Sequence, residues 1–234
     1  MNTRAVESHQ VYRTHMAEAK LRILAAERMS KATTPITGLQ ALDSEFCFLQ
    51  IRKVIELITF SAIKREEGRY SKLREQDGLS NQRDHGNAAK DWQAPEILKR
   101  LVGLSPHVMP IPISKATQSN PGVTHFERHN ISVNHGRLIE LYERCGGHMH
   151  AKNPLVADYA AHVASERAKY ESAPKEVRKA LEFLRKMLWQ HAVVQLNWSD
   201  PTNPTAADGP ESAWLIDFGA SEDEHVVLVI AAAS

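Results

Sequence analysis

Apolar positions recur at helical spacing along most of the chain, and they set the first expectations. From Ala5 to about Ser30, Val6, Met16, Leu21, Ile23 and Leu24 sit among good helix formers and predict an N-terminal helix. The stretch Lys31 to Gly38, KATTPITG, breaks it, because Pro and Gly both interrupt helices. A stronger pattern runs from about Asp43 to Glu67. Phe46, Leu49, Val54, Leu57, Ile58 and Ile63 cover too wide an arc for a surface helix, so a central core helix is expected. Arg52 and Glu56, four apart on its polar side, are placed to pair.

The pattern fades from Arg69 to Lys90, where Gly78, Asn81, Gly86 and Asn87 predict a loop. Trp92 to Leu101 predicts a short helix with Pro95 in its first turn. Ser105 to Ser114, SPHVMPIPIS, carries three prolines and must be extended, as an edge strand or a packed loop. Val123 to Val133 reads as another short strand or loop. Asn134 is placed to cap a helix reaching about Cys145, where Gly146 and Gly147 are expected to loosen it. Asn153-Pro154 predicts a helix start and a run to about Tyr170. Pro174 is expected to open a last helix reaching about Leu196, with Val177, Leu181, Leu184, Leu188 and Val193 on one stripe. After a linker rich in Pro, Asp and Asn, Trp214–Phe218 and Val226–Ile230 flank an acidic turn and predict a β-hairpin. The expected fold is mainly α, a helical bundle with a small C-terminal β-hairpin. Its parts are an N-terminal helix and linker at 1–41, a helical core at 42–198 and an acidic linker and hairpin at 199–234.

Composition narrows the class. Of 234 residues, 42% are hydrophobic and 24% charged, which excludes wholesale disorder and fibrous classes. Two cysteines, Cys47 and Cys145, exclude a disulfide scaffold and fit a reducing compartment. Met1 to Gln10 is polar, and no apolar run approaches the ~18 residues that span a bilayer. A cytoplasmic protein without membrane contact is expected.

The net charge of +1 hides an asymmetry. Residues 1–196 hold all 29 Lys and Arg against 21 acids, a net of +8, while residues 197–234 hold seven acids and no Lys or Arg. Either the basic body meets an anion that the acidic end modulates, or the end neutralises the body it packs on.

The most informative stretch is Arg137 to Pro154, RLIELYERCGGHMHAKNP. Arg144 and His150 are separated by five intervening residues at the end of a helix. Here the chain resembles the HEPN superfamily, all-helical domains of prokaryotic toxin, defence and nucleotide-binding proteins. Their signature is an Arg, four to six residues and a His, late in the bundle. The resemblance covers about Leu42 to Trp198. One position departs from it: the residue after the Arg, commonly polar in active members, is Cys145.

Active HEPN domains are metal-independent endoribonucleases, so the resemblance implies roles. His150 would take the proton from a ribose 2′-hydroxyl or protonate the leaving oxygen, since imidazole titrates near neutrality. Arg144 would hold the phosphate and stabilise its growing charge. His148, Lys152 and Asn153 flank these as binding residues. The family's motif usually sits at a dimer interface, which implies a homodimer. No metal or other cofactor is expected. The structural alternative is that Arg144 pairs with Glu140 or Glu143 and His150 caps a helix end.

Other chemistry is less well founded. His125 and His129 are four apart, and His135, Cys145, His148 and His150 follow, but no HExxH or CxxC pair organises them as a zinc site. There is no GxGxxG, P-loop or GxSxG. Cys145, beside Arg144 and near His148, is a candidate reactive thiol. Trp92, Trp189, Trp198 and Trp214 are scattered, which suits packing better than base stacking. Two functional readings result. One is an RNA- or nucleotide-binding HEPN-like protein with endoribonuclease activity in a toxin or defence system. The other is a non-catalytic helical module for a protein partner such as an antitoxin.

Overall fold

The computed structural model describes residues 3–80, 87–114, 117–120, 123–129, 133–149, 158–206 and 208–232. It is mainly helical. Among the described residues there are six α-helices: α1 (Thr3–Lys31), α2 (Gln40–Arg65), α3 (Glu67–Ser80), α4 (Ala94–Leu104), α5 (His135–Met149) and α6 (Tyr159–Leu188). The strands are β1 (Ile111–Pro112), β2 (Thr117–Asn120), β3 (Val123–His125), β4 (Gln190–Asn197), β5 (Gly209–Asp217) and β6 (Val227–Ala232). No described helix is long and apolar enough to cross a membrane.

Helix α2 is the central element, as its broad apolar arc predicts. It packs against α1, α4, α5 and α6. Cys47, Phe48, Ile51, Val54, Ile55 and Ile58 are almost wholly buried. From α1, Tyr12, Met16, Ala19, Ile23 and Ala26 seat against it at alternating spacings of four and three. The break between α1 and α2 is held by Asp43. Its carboxylate accepts from the Ile36 and Thr37 amides at 2.8 and 3.0 Å and from the Thr37 hydroxyl at 2.6 Å. Arg52 and Glu56 pair at 3.3 Å.

Four expectations are corrected. The segment beginning at Arg69 is not a loop: α3 runs from Glu67 to Ser80, while residues 81–86 lie outside the described ones. Polar anchors hold α3, which is why apolar periodicity misses it. Arg69 donates to Glu66 and to the Pro204 and Leu104 carbonyls, and Asp91 accepts from Tyr70 and Arg74. Secondly, α5 continues through Gly146 and Gly147 to Met149. The Arg52 guanidinium approaches Gly146, and Lys169 donates to the Gly147 carbonyl, so neighbouring cations cover the bare backbone.

The third correction concerns Pro174, which lies inside the single helix α6 instead of opening one. Ala173, Val177, Leu181 and Leu184 are buried on both sides of the proline, and that packing carries the helix past a missing N–H. Its start at Tyr159 is capped by Asp158, which accepts from the Ala161 amide at 2.9 Å; the expected start at Asn153-Pro154 lies outside the described residues. Finally, α6 stops at Leu188. Gln190–Asn197 is a strand, with His191 and Val193 pointing inward. The C-terminal hairpin is therefore part of a four-stranded antiparallel sheet of order β1-β4-β5-β6. The prolines of the Ser105–Ser114 segment confine β1 to the edge, as expected.

One apolar core runs from the helices into the sheet. Tyr12 and Met16 of α1, Phe48 and Ile51 of α2, Leu184 and Leu188 of α6, Val193, Trp214 and Ile216 of the sheet, and Phe218 all belong to it. The acidic turn between β5 and β6 docks on α1. The buried Lys20 ammonium donates to the carbonyls of Phe218, Ser221 and Glu224 at 2.6, 2.8 and 2.6 Å, and Arg28 pairs with Glu222. At this turn the acidic end neutralises the basic body.

Candidate functional site

Helix α5 begins as its sequence dictates. Asn134 accepts from the Arg137 amide at 2.8 Å and so caps the first turn. Leu138, Tyr142 and Cys145 turn inward. The opposite stripe carries Arg137, Glu140 and Arg144 at spacings of three and four, so all three share one face. The second half of α6 lies opposite with Glu176, Lys179 and Phe183. Together with Phe48, Leu141 and Ala180 these side chains line a groove of about 420 Å³.

Three cations and two carboxylates line this groove. Arg137 lies 3.8 Å over the ring of Phe183, which fixes its guanidinium plane. Arg144 is half exposed and meets Glu140 at 2.5 Å. That pair is the contact the structural alternative expects, and an exposed i,i+4 pair contributes only about 0.3–0.5 kcal/mol. A phosphate anion therefore competes easily for the same guanidinium. Glu176 accepts from the Ser172 hydroxyl at 2.9 Å.

His148 lies behind the groove wall, not on its surface. Its side chain is 3% exposed, and its ring stacks on Phe48 with centroids 3.9 Å apart and planes 14° apart. Nε2 lies 4.0 Å from Glu176, and Nδ1 has no hydrogen-bond partner. Burial first, then the Lys169 charge, lowers its pKa, against the opposing pull of Glu176, Glu166 and Glu45. The imidazole is therefore neutral at pH 7 and braces Phe48. His150, Lys152 and Asn153 lie outside the described residues. Position 150 is six residues beyond Arg144, about 240° round a helix.

The cysteines are not poised for chemistry. Burial pushes both Cys47 and Cys145 thiols up to about 12, the Arg52 and Arg144 charges opposing this only in part at Cys145. Among the described residues no three His, Cys, Asp or Glu side chains converge as metal ligands. Trp214 is buried against Tyr12, and Trp189 is covered by the Arg185 guanidinium at 3.6 Å.

Sequence reasoning found Arg144 but missed Arg137, Lys179 and Phe183 as its neighbours. Arg137 was legible, being one heptad before Arg144 on the same helix. Lys179 and Phe183 reach the groove only because α6 packs on α2, as α5 does. No family model, no curated protein and no solved structure matches this chain.

Proposed function

We propose that the chain is a HEPN-like RNA-binding protein whose phosphate-binding groove lies between α5 and α6. In this reading it is a metal-independent endoribonuclease acting through Arg144 and His150. The observation that carries the reading is the convergence of Arg137, Arg144 and Lys179 on one groove, with Arg144 held only by an exposed ion pair. Guanidinium forks suit phosphate oxygens, and a neighbouring aromatic ring keeps Arg137 ready to donate.

In the reaction so proposed, Arg144 leaves Glu140 and binds the scissile phosphate. Arg137 and Lys179 hold the adjoining phosphates. His150 accepts the 2′-hydroxyl proton as that oxygen attacks phosphorus, and the proton is returned, directly or through water, to the leaving 5′-oxygen. His148 positions the wall through Phe48 and takes no proton.

The test is RNA cleavage by the purified chain in EDTA, with Arg144→Ala and His150→Ala beside it. Cleavage by the parent, lost in both variants while RNA binding survives in His150→Ala, is the expected result. Full activity in both variants would refute the assignment. Binding without cleavage would leave the groove as an RNA or nucleotide site alone. A protein-interaction reading is favoured by a different feature, the largely apolar outer face of the sheet.

A further inference from the structure

The two faces of the four-stranded sheet differ in kind. Pairing registers place Pro112, His191, Ile216 and Leu228 in one row on the inner face, and Val193, Trp214 and Ile230 in the next. The central members of these rows, His191, Ile216, Val193 and Trp214, are buried under the helices. The outer face carries the alternate residues. Ile111, Ala192, Leu215 and Val229 form one row across all four strands. Val194, Ala213 and Ala231 form a second, and Ile113, Gln190, Asp217 and Val227 a third, which Arg128 extends beyond β1.

This outer face is apolar and only partly covered. Ile111, Ala192, Val194, Ala213, Leu215 and Ala231 are half-buried, and Val227 and Val229 are each 53% exposed. Its two polar residues satisfy one another. Gln190 donates to Asp217 at 3.0 Å, and the other Asp217 oxygen accepts from the Gly219 amide at 2.7 Å. An antiparallel sheet that ends at water normally alternates apolar inside with polar outside. Here the alternation is lost, and β6, VLVIAA, brings neither charge nor proline to its edge.

We infer that this face is a dimer interface, on which a second copy of the same chain packs sheet to sheet. The occupant follows from the chemistry. At its centre the face carries one carboxylate, already bonded within the sheet, and the cation Arg128 stands at the rim beyond β1, opposite Ile113, so the centre offers nothing for a charged partner to recognise. A flat apolar face complements itself, as a two-fold axis requires. Eleven positions at about 4.8 by 6.8 Å each make a patch of about 360 Å² in plan. Side-chain relief raises the accessible area above the plan area, so pairing two copies buries on the order of 1,000 Å², the lower bound for a specific interface. Sheets packed this way lie about 10 Å apart with their strands inclined by about 30°. The groove remains open in such a dimer, because α5 packs on α2 and α4 and not on the sheet. The inference therefore stands apart from the RNA reading.

The experiment is sedimentation equilibrium of the full chain from about 1 to 100 µM, a range that brackets interfaces of this size. Parent, Val229→Lys, Val227→Lys and Val163→Lys are compared. Val163, 49% exposed on α6, is the control. All three valines are exposed enough for the variants to fold, which circular dichroism verifies. The expected result is a reversible dimer in the parent and in Val163→Lys, with association weakened about 100-fold or more in both sheet variants, since each dimer would bury two unpaired ammonium groups. A parent that stays monomeric throughout would overturn the inference. So would a dimer that persists in Val229→Lys and Val227→Lys, which would indicate a different interface, or one lost equally in Val163→Lys.

Discussion

Replacing Lys20 by Met isolates what ties the C-terminal strands to the N-terminal helix. The ammonium is buried, and it holds three carbonyls in the turn between β5 and β6 at 2.6–2.8 Å. Met keeps an apolar stem of similar length and removes only the donors. Hydrogen bonds from a charged donor are each worth about 1.5–3 kcal/mol net. The cost of desolvating the ammonium offsets part of that sum, and water reaches the Ser221 and Glu224 carbonyls once the lysine is gone. The Phe218 carbonyl has no such rescue, because its bond is fully buried and Phe218 is 0% exposed. The expected loss is about 3 kcal/mol, a fall in Tm of roughly 6–12 °C for a chain of this size. Urea unfolding followed by tryptophan fluorescence measures it, and amide exchange at residues 218–226 localises it. A loss under about 1 kcal/mol, with unchanged exchange in the turn, would refute the reasoning. The turn would then be held by its own backbone and the Arg28–Glu222 pair.

Two further outcomes test the core and the turn chemistry. His191 is wholly buried, with Nδ1 at 2.7 Å from the Leu188 carbonyl and Nε2 at 2.8 Å from the Tyr12 hydroxyl. Burial, with a smaller push from Arg65, lowers its pKa to about 4, against the Leu188 bond. The unfolded chain takes up this proton below about 6.5 and the folded one only near 4. Its contribution is therefore complete above pH 6.5 and is lost as pH falls towards 4, by about 3 kcal/mol. Urea midpoints at pH 7 and pH 4.5 should show this in the parent and much less in His191→Gln; equal slopes would remove His191 as the cause. His15, His148 and the carboxylates of Asp43, Glu56 and Glu224 are lowered as well and contribute to the slope that remains. Gly219 has φ +80°, and an added Cβ would lie 2.5 Å from a Glu224 carboxylate oxygen. Gly219→Ala should cost about 1–3 kcal/mol in urea unfolding. Gly103→Ala, inside α4 with open space at its Cβ, should be neutral or stabilising by up to about 1 kcal/mol. Equal effects of the two substitutions would refute the steric argument.

Local signals in the sequence determined much of the helical frame. The apolar arc of α2, the Asn134 cap, Pro95 at the start of α4 and the prolines that make β1 an edge strand all act within a few residues, so they are legible in a short window. Arg144 on an exposed face beside Glu140 was legible for the same reason. Tertiary structure decided the rest. Helix α3 is held by Arg69 reaching the Leu104 and Pro204 carbonyls and by Arg74 reaching Asp91, partners distant in the chain. Helix α6 passes Pro174 because Ala173 and Val177 are already seated in the core. Gln190–Asn197 carries apolar residues that suit either a helix or a strand. It becomes a strand because β1 and β5 lie on its two sides to take its backbone hydrogen bonds. The groove of Arg137, Arg144 and Lys179 exists only because α5 and α6 both pack on α2 and face one another there. Its residues were written in the sequence, but their proximity depends on burial that no local pattern encodes.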